Sequence, residues 1–490
     1  MNIVKLVIAT ASLLIISTAS ATQKIKPDAI DKIVLAEMKR QFSPGVAISI
    51  VKNGRVIKAQ GYGFANVEHQ APATAHTFFQ LASVGKQFTA TLVMLLVRDG
   101  KLKLDDHVVK YLSDAPASWQ TITVRHLLNH TAGLGAIDPK IDLRKDYSEQ
   151  ELLASIYQVP LQSPPGEKPA YSNLGYQVLG ILCSSVGGKF WGDQLQERVF
   201  LPLGMQSRVI SERDIIPNRA AGYDRFDGVL TNQAWVSPSQ NRTADGSVYV
   251  TAEDMVRWAQ VLQNTLLLTS QEKETMWAPT ILNDGTSFDY GFAWALEKIG
   301  GRRIVRHVGS WQGFSTHIIH IPEERLSIIV LMNRSGGQPH ILADKLAAHF
   351  ISSLKTLVPL SISIEKLAKT PLFIRGSMNE WGTNMPLVKI APKLYQAKMV
   401  LQSGIQQFKI GGAEWNLADL GARFDDGRVS LGKEKILEQH GENLIFEVQK
   451  PGDYIIELDF RGKKLPRLKL IMLGDSPAVQ STVLTTILAA

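Results

Sequence analysis

The sequence predicts a mixed α/β (α+β) unit, with one antiparallel sheet flanked by helices and a helical region beside it, followed by a separate all-β sandwich. Three observations predict this division. Strand-like and helical patterns are mixed over residues 25–353. The strand patterns lie near both ends of that stretch, which favours one sheet closed by its two termini. From residue 371 the helical periodicity gives way to short alternating runs separated by glycine.

The first predicted strands form a hairpin. GVAISIVKNGRVIKAQGYG alternates on both sides of Asn53-Gly54, and Asn-Gly favours the tight turn between two antiparallel strands. Residues 78–97 predict a long helix that ends near Gly100. RRIVRHVGS and FSTHIIHIPEERLSIIVLMN then predict three more strands. The sandwich prediction rests on six short runs: PLFIRGSMNEW, LYQAKMVLQSG, IQQFKIGGAEW, NLIFEVQKPG, DYIIELDF and LPRLKLIML.

Length and composition are those of a globular protein with more than one domain. At 490 residues the chain exceeds one typical domain. Its net charge of +8 is spread along the chain without a basic block, so no nucleic-acid partner is expected. Cys183 is the one cysteine, which excludes an intramolecular disulfide, and its apolar neighbours predict a small core residue.

The first 21 residues have the pattern of a secretory signal peptide. Lys5 precedes a short apolar stretch, and Ala19 and Ala21 occupy the positions that precede a cleavage site. Cleavage after Ala21 predicts a periplasmic or secreted protein without a transmembrane segment, and an uncleaved anchor is the alternative. The predicted organisation is a signal peptide at 1–21, a mixed domain at 22–353, a linker at 354–370, a sandwich at 371–473 and a weakly ordered tail at 474–490.

A serine and a lysine stand three residues apart in SVGK. Ser83 and Lys86 share one face if residues 78–97 are helical. A serine hydroxyl becomes a useful nucleophile when a neighbouring base takes its proton, and a desolvated lysine can be that base. The S-x-x-K pattern alone is a weak signal, because a polar pair on any helix gives the same spacing.

Two further clusters make the pattern specific. YSN begins at Tyr171 after a Pro-Pro-Gly loop, and HVG begins at His307 on a predicted strand. Together with SVGK, these clusters in this order resemble the serine β-lactamase and penicillin-binding protein superfamily, especially its class C, DD-peptidase and esterase-like branch. TVRHLLNHTAGL, PLGM and ADGSVYVTAEDMVRW match sequence typical of that family. The resemblance covers residues 25–353 and implies a β-lactamase-like fold for the mixed domain.

The resemblance implies a role for each matching residue. Ser83 would attack a carbonyl carbon and become acylated. Lys86 and Tyr171 would exchange the proton, and which of them is the base stays open. Asn173 would bond to the substrate amide or keep Lys86 oriented. The backbone N–H groups of Ser83 and Ser310 would hold the oxyanion, because such donors stabilise charge that appears only in the transition state.

His307 departs from the lysine that many family members carry at the matching position. A lysine would offer a permanent cation to a substrate carboxylate, whereas a histidine is mostly neutral at pH 7 and titrates near it. This weakens the expectation that penicillin-type carboxylates bind, while DD-peptidase, D-aminopeptidase and esterase members also carry histidine here. A satisfied strand histidine is the alternative. Gly309, two residues on, would leave room for the backbone to approach the substrate.

No metal or cofactor is expected. His126 and His130 have a zinc-like HxxxH spacing, but no third ligand follows with motif spacing. The pair Gly85-Lys86 lacks both the upstream glycine and the following serine or threonine of a phosphate-binding loop.

The second unit resembles the small Ig-like starch- and glycogen-binding domains. The GSMNEW turn, the FKI strand and the AEW segment carry the likeness. In those domains two tryptophans stack on sugar rings and a lysine bonds to hydroxyls, which implies Trp381, Trp415 and Lys409 here, and an α-glucan or other glycan as partner. Burial of both tryptophans in the sandwich core is the alternative.

Three functions are therefore weighed. The leading hypothesis is an exported serine hydrolase that forms an acyl-enzyme on a small amide or ester, such as a D-amino-acid peptide, a cell-wall peptide or a β-lactam-like compound. A carboxylesterase of the same family is the alternative within that class. A glycan-binding protein with a degenerate hydrolase domain is the alternative from another class.

Overall fold

The computed structural model describes residues 27–473 except 113, 136–140, 211–212, 227–228, 357–363, 416–417, 423–426 and 463–464. The expected signal peptide and the expected tail lie outside the described residues, as does part of the expected linker, so these assignments stay predictions. Within the described ranges no helix combines the length and the apolar character needed to cross a bilayer.

The helices and strands have the following bounds. The α-helices are α1 (Ala29–Gln41), α2 (Lys86–Arg98), α3 (Val124–Leu128), α4 (Glu149–Tyr157), α5 (Asn173–Gly187), α6 (Trp191–Leu195), α7 (Ala252–Gln263), α8 (Ser270–Met276), α9 (Pro339–Phe350) and α10 (Ile364–Leu367). The strands of the first domain are β1 (Gly45–Lys52), β2 (Arg55–Asn66), β3 (Ala71–Pro72), β4 (Phe79–Gln80), β5 (Arg208–Val209), β6 (Tyr223–Phe226), β7 (Val229–Asn232), β8 (Val248–Val250), β9 (Thr280–Ile281), β10 (Ser287–Phe288), β11 (Ala295–Ile299), β12 (Arg302–Trp311), β13 (Phe314–Ile321) and β14 (Leu326–Met332). Those of the second domain are β15 (Phe373–Gly376), β16 (Val388–Ala391), β17 (Leu394–Leu401), β18 (Gly404–Gly411), β19 (Asp419–Ala422), β20 (Glu434–Gln439), β21 (Leu444–Val448), β22 (Gly452–Asp459) and β23 (Arg467–Met472).

The main sheet of the first domain has the order β11-β12-β13-β14-β1-β2-β3, and the pairings within it are antiparallel. Its N-terminal strands therefore lie beside its C-terminal strands, which confirms the predicted closure by the two termini. The predicted hairpin is also confirmed: Asn53 and Gly54 have φ angles of 53° and 74°, the left-handed values that a two-residue turn of this type requires.

Both faces of the central strands are covered. Val34 of α1, Leu342 of α9 and Ile48 of β1 belong to one buried apolar cluster. Phe88 of α2 and Ala47 of β1 belong to a second cluster, with side chains from α5 and α7. Because neighbouring side chains of a strand point to opposite faces, a strand in a sheet that is covered on both faces is buried along its whole length. This explains the continuous burial of β13 and β14.

The helix predicted over residues 78–97 begins later than expected. Phe79 and Gln80 form β4 and pair with β8, so their backbone groups are committed to a strand. Ala82 then has a φ of 50°, which interrupts any regular right-handed helix. A 3₁₀ turn follows at Ala82–Gly85, and α2 starts at Lys86. The serine of SVGK thus lies on the turn before the helix, and the lysine is the first helical residue.

The second domain is all-β, as predicted. Within the described residues, eight of its strands form one hydrogen-bonded path in the order β15-β18-β19-β20-β23-β22-β17-β16, and β21 pairs with β18 beside that path. Phe408, Ile410 and Ile456 are among the residues of its own buried core. The Ig-like topology stays a prediction. The two domains touch through an ion pair of Arg40 with Glu438, at 3.3 Å between nitrogen and oxygen.

Buried histidines of the first domain predict acid sensitivity. Burial, the largest cause, lowers the pKa of His307 and His320 to about 3 and that of His340 to about 4, and it lowers the pKa of His130 and His317 well below the ordinary range. In the unfolded chain these groups take up protons as the pH falls through about 6.5, whereas in the folded protein they do not. The stability they provide is therefore complete above pH 6.5 and is lost as the pH falls, at up to about 1.4 kcal/mol per pH unit for each histidine.

We expect the urea midpoint of unfolding to fall steadily between pH 7 and pH 5. The change of this midpoint per pH unit should be smaller in His320→Gln than in the wild type. His76→Gln is the matched control, because the His76 side chain is 67% exposed. Asp344 acts in the opposite sense, since burial raises the pKa of its carboxyl to about 7, but one such group is outweighed by five histidines. Equal slopes in all three proteins would contradict this account.

Candidate active site

The candidate nucleophile lies on a constrained turn. Ser83 is half-buried on the 3₁₀ turn that follows Ala82, whose left-handed backbone is unusual for a residue with a side chain. The Leu81 carbonyl oxygen, just before this turn, accepts a hydrogen bond from Thr316 Oγ1 at 2.5 Å. The turn is thus fixed to β13, and its backbone conformation is held by the sheet.

Gly309 lets β12 pack against this turn. A Cβ atom at Gly309 would lie 2.5 Å from the Leu81 oxygen and 2.3 Å from Thr316 Oγ1, closer than van der Waals contact allows. This glycine therefore makes room for the serine turn itself, and its expected role in substrate approach stays a prediction. β11 pairs with β12 only as far as Arg306, so the next residues of β12 face the turn. Ser310 lines the same small pocket as Ser83.

Lys86 is fully buried and makes three hydrogen bonds. Its Nζ lies 3.0 Å from Ser83 Oγ, 2.7 Å from Asn173 Oδ1 and 2.6 Å from the Asp245 carbonyl oxygen. The amide oxygen and the carbonyl oxygen can only accept, whereas the hydroxyl can either donate or accept. A neutral amine can therefore donate to its two acceptors and still present its lone pair to Ser83. The same positions of the heavy atoms also suit the ammonium that forms when the proton moves.

Tyr171 lies at the mouth of the cleft. It is 40% exposed, and the centre of its ring is 5.1 Å from Lys86 Nζ and 4.2 Å from the centre of the His130 ring. Its hydroxyl makes no hydrogen bond to Ser83 or Lys86 in the described part of the chain. The phenol is thus beside the candidate base but outside direct contact with the nucleophile, an arrangement that free enzymes often show before substrate tightens the site.

A chain of hydrogen bonds fixes both histidines of the site. The Ser172 N–H donates to His130 Nδ1 at 3.0 Å, so the neutral His130 ring carries its proton on Nε2 and donates to the Tyr290 hydroxyl at 3.2 Å. Tyr290 in turn donates to His307 Nε2 at 2.8 Å, and His307 Nδ1 donates to the Val308 carbonyl at 2.7 Å. Both ring nitrogens of both histidines are therefore used within the protein.

His307 is a neutral group in this cleft. Burial and the nearby Lys86 lower its pKa to about 3, so the expectation that it titrates near pH 7 is wrong. Because Nε2 and Nδ1 are both occupied, the ring is already satisfied before any substrate arrives. The position at which many family members carry a lysine thus provides no cation here.

The structure brings seven predicted residues into one cleft: Ser83, Lys86, Tyr171, Asn173, His307, Gly309 and Ser310. Their individual catalytic roles stay predictions. Sequence reasoning missed Tyr290 and Asp245, and it weighed His130 only as a zinc ligand. In the structure His130 serves the hydrogen-bond chain, while His126 Nδ1 accepts from the Thr123 N–H. Tyr290 had no motif that could have revealed it.

The three candidate sugar-binding residues also lie together in the second domain. The rings of Trp381 and Trp415 are half-buried, with centres 6.3 Å apart. Lys409 is held by an ion pair with Asp419 at 2.6 Å, and the Arg375 guanidinium stacks 4.0 Å from the centre of the Trp415 ring. One ring face and the lysine are thus already engaged within the protein, and the role in carbohydrate binding stays a prediction.

Comparison with known proteins decides the family. The beta-lactamase family model matches residues 30–350. The chain belongs to the beta-lactamase family. It is 31% identical over 335 residues to penicillin-binding protein 4* of Bacillus subtilis, covering 64% of this chain and 73% of that protein. It is 26% identical over 448 residues to a D-aminopeptidase of Gluconobacter oxydans, covering 88% of this chain and 81% of that protein.

A solved structure extends the likeness in fold beyond the matched domain. The octameric penicillin-binding protein homologue from Pyrococcus abyssi aligns with a TM-score of 0.61 and 22% identity, covering 90% of this chain and 99% of that one. The matched range of the family model contains every residue of the cleft described above. The protein is therefore a serine hydrolase of the beta-lactamase family with a second, all-β domain.

Proposed function

We propose that this beta-lactamase family member is an exported amide hydrolase that acts through an acyl-enzyme on Ser83, with small D-amino-acid amides or peptides as substrates. The observation that carries the proposal is the contact of Lys86 Nζ with Ser83 Oγ at 3.0 Å. The same nitrogen donates to two groups that can only accept, Asn173 Oδ1 and the Asp245 carbonyl oxygen. Export and a periplasmic or secreted location rest on residues 1–21 of the sequence.

The geometry supports a division of labour in the reaction. Ser83 Oγ attacks the amide carbon while its proton passes to Lys86 Nζ, and the backbone N–H groups of Ser83 and Ser310 receive the oxyanion. The C–N bond then breaks, and the leaving amine takes up a proton from Lys86 with Tyr171 at the cleft mouth. Water enters where the amine left, gives up a proton along the same route and releases the acid from Ser83.

The neutral state of His307 favours an amide substrate that lacks the carboxylate which penicillins carry. A carboxylate that binds beside His307 would be desolvated without a cationic partner from that residue. The likeness to a D-aminopeptidase points the same way. A carboxylesterase uses the same first step, so it remains the alternative within the class. A degenerate hydrolase domain with only a glycan-binding role is disfavoured, because the serine, the lysine and the asparagine are intact and in contact.

A panel of acyl donors tests the proposal. Purified protein is incubated with D-alanine p-nitroanilide, L-alanine p-nitroanilide, p-nitrophenyl acetate and nitrocefin, and both hydrolysis and the intact mass of the protein are followed. We expect turnover of the D-anilide at a kcat/KM at least about tenfold above that of the L-anilide, and slow acylation by nitrocefin. Ester hydrolysis without any anilide turnover would favour the esterase, and no turnover of any donor would reject the proposal.

A further inference from the structure

One oxygen of a buried carboxylate in the pocket of the nucleophile has no hydrogen-bond partner within the described residues. Asp245 is 5% exposed, and its Oδ1 has no hydrogen-bond partner among the residues that the structure describes. Asp245 lines the same small pocket as Ser83, Asn173 and Ser310. Its own carbonyl oxygen accepts from Lys86 Nζ at 2.6 Å, which fixes its backbone beside the candidate base.

The charges around this pocket leave the carboxylate uncompensated. The three hydrogen bonds of Lys86 go to Ser83, Asn173 and the main chain of Asp245, and no ion pair with the Asp245 side chain occurs within the described ranges. His307 and His130, the other basic groups of the cleft, are neutral. A desolvated carboxylate without a partner is costly, so a cation or a strong donor that enters the pocket gains a charge-assisted hydrogen bond.

We propose that Asp245 binds the ammonium group of the substrate, and so selects acyl donors that carry a free amine close to the scissile carbonyl. In an amino-acid amide the α-ammonium nitrogen is two bonds from the carbonyl carbon, so a carbonyl at Ser83 Oγ brings the ammonium into the same small pocket. The carboxylate then favours a free amine over an N-acylated one, and the neutral His307 offers nothing to a competing carboxylate. This inference rests on the proposed function and names its substrate class.

The test compares one pair of substrates in three proteins. D-Alanine p-nitroanilide carries the free amine, and N-acetyl-D-alanine p-nitroanilide lacks it; the readout is the ratio of their kcat/KM values. We expect the wild type to prefer the free amine, and Asp245→Asn to lower the ratio about 10- to 100-fold through a higher KM for the amine. Glu253→Gln, which removes one carboxylate from the surface of α7, is the control for net charge and should change the ratio less than twofold.

Three results would overturn the assignment. A wild-type enzyme that acylates Ser83 but does not prefer the free amine rejects it without any variant, so the test does not depend on the folding of Asp245→Asn. Equal losses for both substrates in Asp245→Asn would show that the carboxylate only positions the site. Build-up of acyl-enzyme with both substrates would show that it holds the hydrolytic water instead. If neither substrate gives an adduct on Ser83 of the wild type, the proposed function itself fails.

Discussion

Replacement of Ser83 by alanine is expected to abolish the covalent adduct and to lower kcat/KM by at least about 10³-fold for every acyl donor. The hydroxyl is the group that Lys86 Nζ contacts at 3.0 Å in this cleft, and without it no acyl bond to the protein can form there. The intact mass after incubation with substrate measures adduct formation, and the release of p-nitroaniline measures turnover. Substrate binding should persist, because the oxyanion donors belong to the backbone.

A serine outside the cleft provides the control that separates the loss of catalysis in Ser83→Ala from a loss of folding. Ser185, near the end of α5, is exposed, so Ser185→Ala should keep both the adduct and the turnover of the wild type. Thermal unfolding of Ser83→Ala should stay within a few degrees of the wild type, because Lys86 keeps two of its three acceptors. Equal labelling of Ser83→Ala and the wild type would show that the nucleophile is another residue.

Lys86→Met is expected to have the second largest effect, a fall of about 10³-fold or more in the rate of Ser83 acylation. Methionine is similar in length and apolar, so it fills the buried space but cannot accept the proton of the hydroxyl. It also leaves Asn173 Oδ1 and the Asp245 carbonyl without the hydrogen bonds that Lys86 now donates. Stopped-flow release of p-nitrophenol from an activated ester measures the acylation step directly.

A second buried lysine provides the control for Lys86→Met. Lys273 is 8% exposed and donates to the carbonyl oxygens of Leu262 and Asn264 at 3.3 Å and 2.5 Å, and neither of these acceptors belongs to the cleft. Lys273→Met removes a buried amine in the same way and should lower the unfolding temperature while leaving acylation intact. If Lys86→Met acylates at the rate of Lys273→Met, then Lys86 is structural and Tyr171 becomes the candidate base.

Sequence patterns predicted the parts of the fold that local chemistry dictates. The Asn53-Gly54 turn and the strands β12, β13 and β14 follow from short-range preferences, and the structure confirms them. The predicted start of α2 at residue 78 was wrong, because Phe79 and Gln80 pair with β8, whose residues lie some 170 positions away in the chain. A local helical pattern carries no information about a strand so far away in sequence that competes for the same backbone groups.

The same reason explains which residues of the site the sequence could indicate. SVGK, YSN and HVG are compact motifs, and the structure brings them into one cleft. The link from His130 through Tyr290 to His307 joins residues from three distant segments, and Tyr290 belongs to none of the motifs. Asp245 is a single acidic residue inside a matching segment, and it is marked as unusual only by its burial with Oδ1 unpaired among the described residues.

The position of β1 in the main sheet governs when the first domain can become stable. Val46 of β1 pairs with Tyr62 of β2 on one side and with Met332 of β14 on the other. One edge of β1 therefore stays unpaired until β14 is synthesised, almost 300 residues later. A nascent chain that lacks β14 therefore has an exposed, apolar strand edge, and contacts so distant in sequence slow folding. Synthesis of β14, and not of the first helices, therefore sets the earliest moment at which this domain can resist a protease.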